Sequence, residues 1–429
     1  MRVGTAFANG LQRLLAFDRG LDGRLVAAFA VASYFSAVAV GRGVLGTDIS
    51  FFGVPPGPSL FFDARSVTSA LECRRLDYNP LVENPCDPWN RPMVYPRVWL
   101  ALRWLGLDQS HTALLAIVVI AAFLVLLWLV VGRLTTGQGI VMAAALCSPS
   151  VMFAVERANM DLAVFSLLGL AVLAWRTGSH AGAMVSPTLV FLAATAKLYP
   201  ALGLTAYLLS GKRRSMVTAS GLLVSFGVYA ILTLDDIAAI SRAAPQGEYN
   251  SYGARILIAR IYHLVVPETW QQGSATAQAI AMLPLLVVVV LVWLRVRRSF
   301  APAESPPLTA KLLAFYLGTF VYLGTFAVAN NFDYRLVFLL LTVPQLFTWI
   351  CGHHAKGILQ VAAAAALVVL IVLLWIGALS GRLLLADELV SWAMAGVLIA
   401  LAAASIPPLG SLLGAALPGR QVGAREPSS

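Results

Sequence analysis

The sequence is poor in charge. Asp, Glu, Lys and Arg make up only 12% of its 429 residues, whereas 59% of the residues are hydrophobic. Soluble domains carry roughly 25% charged residues, so this chain has too little charge to cover a globule of its size in water. The shortage excludes an ordinary soluble domain and indicates an integral membrane protein.

Alternation of apolar and polar residues is also lacking, which excludes the roughly ten-residue pattern of a membrane β-barrel. Apolar runs of about 17–22 residues take its place, and runs of this length span a bilayer as helices. We therefore predict an all-α, polytopic transmembrane helical bundle of about 12 spans. The predicted spans lie near 24–42, 112–131, 138–155, 161–175, 183–196, 198–211, 215–234, 278–294, 311–329, 335–351, 358–379 and 389–412.

No small-residue cleavage site follows the first apolar run, so we expect it to be retained as a span. The net charge of +10 does not indicate nucleic-acid binding, because the basic residues form short clusters between apolar runs. Such clusters are typical topology signals that face anionic membrane lipids.

The basic clusters set the predicted orientation. With the N-terminus in the cytoplasm, the clusters at 212–214 and 295–298 are cytoplasmic, and an even number of spans returns the C-terminus there. We predict one domain over 1–418 in the cell (inner) membrane, as a multi-pass protein with its polar elements extracytoplasmic. Long external loops occupy 43–111 and 235–277, and 419–429 is a polar, disordered cytoplasmic tail.

Cysteine is scarce, with four in the chain. Cys147 and Cys351 lie in or beside apolar runs and are expected in the core. Cys73 and Cys86 share the first external loop, where a disulfide is a candidate if that loop faces an oxidising compartment. No Cys or His spacing suits a metal site.

The first external loop is the densest polar stretch. Residues 64–76 are predicted to form an amphipathic helix with Val67, Ala70 and Leu71 on one face. Asp63 stands at its start, either as an N-cap or as a general base held at the membrane surface. Asp48 is the rival for the role of base.

A proline-rich strap follows at 84–97, where four prolines exclude a helix. Tyr95 is suited to headgroup depth, either as an interfacial anchor or as a substrate contact. Arg97 is a candidate ligand of a phosphate, with a lipid headgroup as the alternative.

The segment E-R-A-N-M-D at 156–161 is more polar than a turn between two helices needs. Glu156, Asn159 and Asp161 fall near helical spacing and are candidate substrate contacts. A local pair between Glu156 and Arg157 is the alternative.

Lys197 interrupts an apolar stretch, where an ionisable side chain is costly and usually faces a partner or a cavity. It either extends to the interface or binds a phosphate, with Tyr199 beside it.

The last polar element is N-N-F-D-Y-R at 330–335. Asp333 and Arg335 pair with each other, or Arg335 binds a phosphate while Asn331 and Tyr334 contact hydroxyls. All of these elements fall on one side of the membrane in the predicted topology, so we expect them to meet over one cavity.

The ordered set F-F-D-A-R-S-V-T-S-A, E-R-A-N-M-D-L-A-V-F, A-K-L-Y-P and N-F-D-Y-R-L resembles the lipid-dependent glycosyltransferases of the GT-C superfamily. It is similar in particular to glycosyltransferase family 87, the polyprenyl-phosphate-mannose-dependent mannosyltransferases and their relatives. Members often have an E-R-G turn, whereas this chain has Ala158 in place of the glycine.

The resemblance implies a GT-C-like fold and an inverting hexosyltransferase. The donor would be a polyprenyl-phosphate sugar, mannose-like, and the acceptor an extracytoplasmic glycan or lipid. Asp63, with Asp48 as fallback, would be the catalytic base, and Arg157, Lys197 and Arg335 would bind the donor phosphate. The sequence identifies no particular cofactor. A divalent metal is allowed, although no D-x-D motif demands it.

Two other functions stay open. A transporter or flippase of a lipid-linked saccharide also needs a cationic cavity, but it favours polar groups at the membrane midplane and paired repeats. A membrane scaffold would leave Asp63, Lys197 and Arg335 without a shared task.

Overall fold

The computed structural model describes residues 2–43, 50, 53–54, 57–245, 250–254, 256–257, 283, 287, 290–291, 294, 307–328, 331–352, 357–377 and 384–406. Its helices are α1 (Arg2–Ala16), α2 (Gly23–Gly43), α3 (Phe62–Arg75), α4 (Thr112–Val131), α5 (Thr136–Leu146), α6 (Pro149–Arg157), α7 (Asp161–Arg176), α8 (His180–Ala196), α9 (Thr205–Leu208), α10 (Arg213–Leu232), α11 (Leu234–Ala243), α12 (Ala310–Val328), α13 (Val343–Cys351), α14 (Ile358–Ile376) and α15 (Leu384–Ser405). Segments of 3₁₀ helix cover Arg97–Leu105, Gln109–His111, Tyr199–Leu204 and Asp333–Leu341.

The all-α prediction is confirmed for the described residues, and the helices have the lengths expected of a multi-pass membrane protein. Six of these helices are long and apolar enough to cross a membrane, and two bent helix pairs raise the number to as many as eight. The six are Gly23–Gly41, Gln109–Val131, Arg213–Leu232, Ala310–Val328, Ile358–Ile376 and Leu385–Ser405. Most of the predicted span 278–294 lies outside the described residues, so the total of about twelve stays a prediction.

Two runs that the sequence predicts as single spans are bent. The run 138–155 consists of α5 and α6, which meet at 57°. Ser148 caps the new helix by accepting a hydrogen bond from Val151 N, and Pro149 occupies its first turn. The run 335–351 likewise divides into the 3₁₀ segment Asp333–Leu341 and α13, at 47°.

The separation of the predicted spans 183–196 and 198–211 is confirmed. Helix α8 ends at Ala196, Lys197 is extended, and a 3₁₀ segment begins at Tyr199 with Pro200 in its first turn. The lysine therefore stands in a gap between two helical segments, where its side chain can turn inward.

Helix α1 is amphipathic and was not predicted from the sequence. Its Ala8 and Leu15 are buried, whereas Phe7 and Leu14 are exposed, and it packs against α5, α13 and α14. A run of 15 residues with mixed polarity gives a weak signal beside the long apolar spans.

Glycines allow very close packing where α1 and α2 meet α5. A Cβ built at Gly137 would lie 1.8 Å from the carbonyl oxygen of Leu14, and one at Gly139 would lie 2.1 Å from that of Gly23. Small residues let helix backbones approach in this way, so α5 holds the first two helices in register.

The core lies around α12, where 72% of the residues in its most apolar stretch are buried, whereas the corresponding share in α10 is only 11%. Phe165 of α7 contacts Phe123 of α4 and Phe338, with ring centroids 4.9 Å and 6.3 Å away. These contacts hold α7 and the 3₁₀ segment Asp333–Leu341 against each other. The first begins in the polar segment 156–161, and the second begins in the polar segment 330–335.

A two-residue antiparallel pair joins the second long loop to the last polar element. Strand β1 (Ser251–Tyr252) pairs with β2 (Asn331–Phe332), with Ser251 opposite Phe332 and Tyr252 opposite Asn331. Tyr252 is buried and donates or accepts a hydrogen bond with Thr325 of α12 at 2.8 Å. The pair therefore holds Asn331 against the top of α12.

Candidate functional site

The polar turn E-R-A-N-M-D positions the centre of the site. Helix α6 ends at Arg157, α7 begins at Asp161, and Ala158 between them adopts a left-handed conformation with φ 45°. The left-handed region favours glycine, which is the residue that the resemblance expects there. This turn directs Arg157, Asn159 and Asp161 toward one point.

Asp63 lies in the first turn of α3, but it is not the N-cap. Phe61 occupies that position, with φ 59° and no side-chain cap. The Asp63 carboxylate instead accepts a hydrogen bond from Asn159 Nδ2 at 2.6 Å, and Arg157 Nη1 lies 3.7 Å from its other oxygen. The N-cap alternative is therefore wrong, because the carboxylate faces a tertiary partner.

Asn159 connects two charged groups. Its Nδ2 donates to Asp63, while its Oδ1 accepts from Lys197 Nζ at 3.2 Å and from the backbone N of Asp161 at 2.9 Å. The amide is 1% exposed, so each of these bonds is shielded from water. Such bonds fix the orientation of both Asp63 and Lys197.

Asp161 is the fully buried partner of two cations. It forms an ion pair with Lys197 and accepts a hydrogen bond from the hydroxyl of Tyr199. Arg335 Nε lies 3.5 Å from its second oxygen. Burial lowers the pKa of Lys197, which stands between two helical segments, and the Asp161 carboxylate opposes that shift.

Aromatic rings enclose the two cations. Lys197 Nζ lies 4.9 Å from the ring centre of Tyr95, and the Arg335 guanidinium lies 5.3 Å from that of Tyr199. Tyr334 is 5.9 Å from both cations. Faces of aromatic rings attract cations, so these contacts offset part of the cost of burial.

Asn331 and Arg157 complete the cluster. Arg335 Nη1 donates to Asn331 Oδ1. Arg157 lies over Phe62 and Phe153, at 5.3 Å and 4.6 Å from the ring centres.

We call the residues joined by these contacts the polar cluster: Asp63, Tyr95, Arg157, Asn159, Asp161, Lys197, Tyr199, Asn331, Tyr334 and Arg335.

Two further predicted contacts lie at its edge. Glu156 is 3% exposed, and its carboxylate faces Gly57, where a Cβ would lie 3.6 Å from both oxygens. Asp333 is 3% exposed and lies against Gly377, where a Cβ would fall 2.7 Å from Oδ2.

Other predicted residues stand apart or lie outside the described residues. Arg97 is 45% exposed in its side chain and forms a bidentate pair with Asp236, at 2.8 Å and 2.6 Å. Asp48 falls outside the described residues. Cys73 and Cys86 form a disulfide, which ties α3 to the proline-rich strap.

The polar cluster holds three cations and two carboxylates. Its contacts join Arg157, Lys197 and Arg335 to two carboxylates, Asp63 and Asp161. Glu156 and Asp333 at its edge are two more buried carboxylates, so the group as a whole has no positive surplus. What suits a phosphate is the close placement of three cations, two of them guanidinium groups. In the part of the chain that the structure describes, no three His, Cys, Asp or Glu side chains are placed to hold a metal ion.

One buried acidic pair was missed. Asp387 and Glu388 of α15 are 1% and 0% exposed, one turn before Ser391, whose carbonyl accepts from the Tyr322 hydroxyl at 2.9 Å. Tyr322 stacks on Tyr252 of β1, with ring centroids 5.3 Å apart. The predicted span began at 389, so the two acids were assigned to a loop.

In comparisons with known proteins, no family model matches the chain, and neither a curated protein nor a solved structure is similar to it.

Proposed function

We propose that the chain is a membrane glycosyltransferase. It transfers a sugar, mannose-like, from a polyprenyl-phosphate donor to a glycan or lipid acceptor. The observation that carries the proposal is the hydrogen-bonded, partly accessible Asp63 carboxylate beside three cations. A general base next to a cationic phosphate site is what such a transfer requires.

The reaction is an inverting displacement. Asp63 takes the proton of the acceptor hydroxyl as its oxygen forms a bond to the anomeric carbon. The bond from that carbon to the phosphate oxygen breaks, and its electron pair leaves with the polyprenyl phosphate. Negative charge grows on the leaving phosphate, where Arg157, Lys197 and Arg335 would stabilise it.

Accessibility assigns the two carboxylates to different roles. The side chain of Asp63 is 13% exposed, whereas that of Asp161 is 0% exposed. Asp161 already contacts Lys197, Tyr199 and Arg335. A base must reach a proton of the substrate, so Asp63 is the base and Asp161 orients the cations.

The proposal includes the finer features of the predicted topology. These are a GT-C-like bundle of about twelve spans in the inner membrane, with both termini cytoplasmic and the polar cluster extracytoplasmic. The Cys73–Cys86 disulfide supports this orientation, since disulfides persist in oxidising compartments.

The test is a transfer assay with purified protein in liposomes. A panel of labelled polyprenyl-phosphate sugars is offered with lipid and glycan fractions of the cell envelope as acceptors. We expect label transfer by the native chain, and a loss of at least about 100-fold in Asp63→Asn at equal protein abundance. Arg97→Gln, whose side chain contacts Asp236 instead of the polar cluster, is the matched control and keeps the native rate.

Retained transfer in Asp63→Asn would move the base to Asp48 or remove the mechanism. Movement of the donor across the bilayer without transfer would instead support a transporter or flippase of a lipid-linked saccharide.

A further inference from the structure

An apolar cleft opens at the end of the bundle opposite the polar cluster. It lies between α2 and α4 above α5, with a volume of ≈ 240 Å³. Its lining includes Arg24, Ala28 and Phe35 of α2, Trp128 and Val131 of α4, and Leu134. The cleft is open because the alanine side chains of α2 are too short to fill the space beside α4.

The cleft has the depth of one leaflet. Arg24 and Phe35 at its two ends are eleven residues apart on α2, or about 16 Å at ~1.5 Å per residue. The hydrocarbon core is ~30 Å thick. The cleft thus extends from the end of the helix to about the midplane.

Arg24 at the mouth does not add net charge. Its guanidinium pairs with Asp22 at 2.7 Å and lies 4.8 Å from the ring centre of Trp128. Arg24 lowers the pKa of Asp22 to about 2, so this pair stays ionised and neutral overall.

A second cavity of ≈ 290 Å³ supplies the charge. It shares Val131 and Leu134 with the cleft and is lined by Arg133, Gln138 and Lys311 as well. Lys311 Nζ donates to Thr348 Oγ1 at 3.3 Å. Neither Arg133 nor Lys311 takes part in an ion pair with another described residue.

We propose that the cleft and the adjoining cavity form a binding site for one anionic phospholipid. An acyl chain fills the apolar cleft, and the phosphate group lies in the second cavity between Arg133 and Lys311. A free phosphate ion would use only the second cavity, and a zwitterionic lipid would leave the two positive charges without a net counter-charge. Anionic headgroups attract basic residues at this depth, and the exposed Phe7 and Leu14 of α1 mark the same membrane surface.

Trp128 in the cleft wall reports binding directly. The purified native chain in detergent is titrated with phosphatidylglycerol or phosphatidylcholine carrying bromine on the acyl chains, and tryptophan quenching is measured. The signal of a Trp128→Phe variant is subtracted. We expect half-maximal quenching at an about tenfold lower amount of the anionic lipid.

Two variants separate the parts of the site. Arg133→Gln with Lys311→Gln should remove the preference for the anionic lipid, whereas Arg213→Gln with Arg214→Gln, which removes equal charge from α10, should keep it. Ala28→Leu places a large side chain in the cleft and should reduce quenching by both lipids. Ala28 is exposed in the structure, so the longer side chain displaces no core residue. Equal quenching by both lipids in the native chain, or an unchanged preference in the double variant, would overturn the proposal.

Discussion

At the scale of single residues, the sequence identified the types of side chain but not their partners. Asp63, Asn159 and Lys197 were each singled out because polar groups are rare in this chain. Asp63 is 96 positions from Asn159, and Lys197 is 38 positions from it. Nothing local in the sequence indicates those bonds, so the N-cap alternative for Asp63 was open until the tertiary contacts were known.

Asn159 gives the residue-scale prediction. Asn159→Ala removes the donor to Asp63 and the acceptor of Lys197 Nζ. A hydrogen bond to a charged group contributes about 1.5–3 kcal/mol, which corresponds to a fall of about 10–100-fold in the transfer rate. Two quantities are measured with the donor that the native chain uses: the transfer rate and the affinity for that donor.

Because Asn159 orients both Asp63 and the proposed phosphate ligand Lys197, the affinity for the donor should fall together with the rate. Arg97→Gln is again the control. A native rate in Asn159→Ala would show that the bond to Asp63 has no catalytic role.

At the scale of elements, apolar runs gave the long helices, and periodicity gave α3, whose Val67, Ala70 and Leu71 are buried. The bend between α5 and α6 was missed, although Ser148 followed by Pro149 in the middle of the run is a signal that a new helix begins there. The close approach of α5 to α2 was also not visible, since glycines in a single sequence do not show which backbone they face.

That approach gives the element-scale prediction. A Cβ at Gly139 would lie 2.1 Å from the carbonyl oxygen of Gly23. Gly139→Ala must therefore push α2 away from α5. Overpacking of this kind costs about 1–3 kcal/mol. Thermal unfolding in detergent should therefore show a lower midpoint than in the native chain.

Gly221→Ala in α10 is the matched control, because a Cβ added at Gly221 would have no neighbouring atom within 4 Å. Alanine is favoured over glycine inside a helix by roughly 0.5–1 kcal/mol, so its midpoint should be equal or higher. Equal midpoints for the two variants would contradict the packing of α2 on α5.

At the scale of the whole molecule, the charge pattern predicted that the polar elements share one side, and the cluster of contacts around Asp161 agrees with that prediction. Arg97 could not be separated from this group by sequence, because its pairing with Asp236 depends on how α11 folds back. The disulfide was an open alternative for the same reason, since spacing alone does not bring Cys73 to Cys86.

The disulfide makes the orientation testable. Membrane protein denatured and alkylated without reductant should carry label on Cys147 and Cys351 only, and reduction should add Cys73 and Cys86. Joining residues 13 positions apart contributes about 2–4 kcal/mol to stability, so Cys73→Ser with Cys86→Ser should lower the unfolding midpoint. Labelling of Cys73 before reduction would contradict an extracytoplasmic loop.

The most direct test of the central claim separates donor binding from transfer. The affinity for polyprenyl-phosphate mannose and the transfer rate are measured on the purified native chain, Asp63→Asn and Arg335→Gln. We predict that Asp63→Asn binds the donor within about threefold of the native affinity yet transfers no sugar. Arg335→Gln should weaken donor binding by about tenfold or more. Native donor affinity in Arg335→Gln together with native transfer in Asp63→Asn would contradict the account.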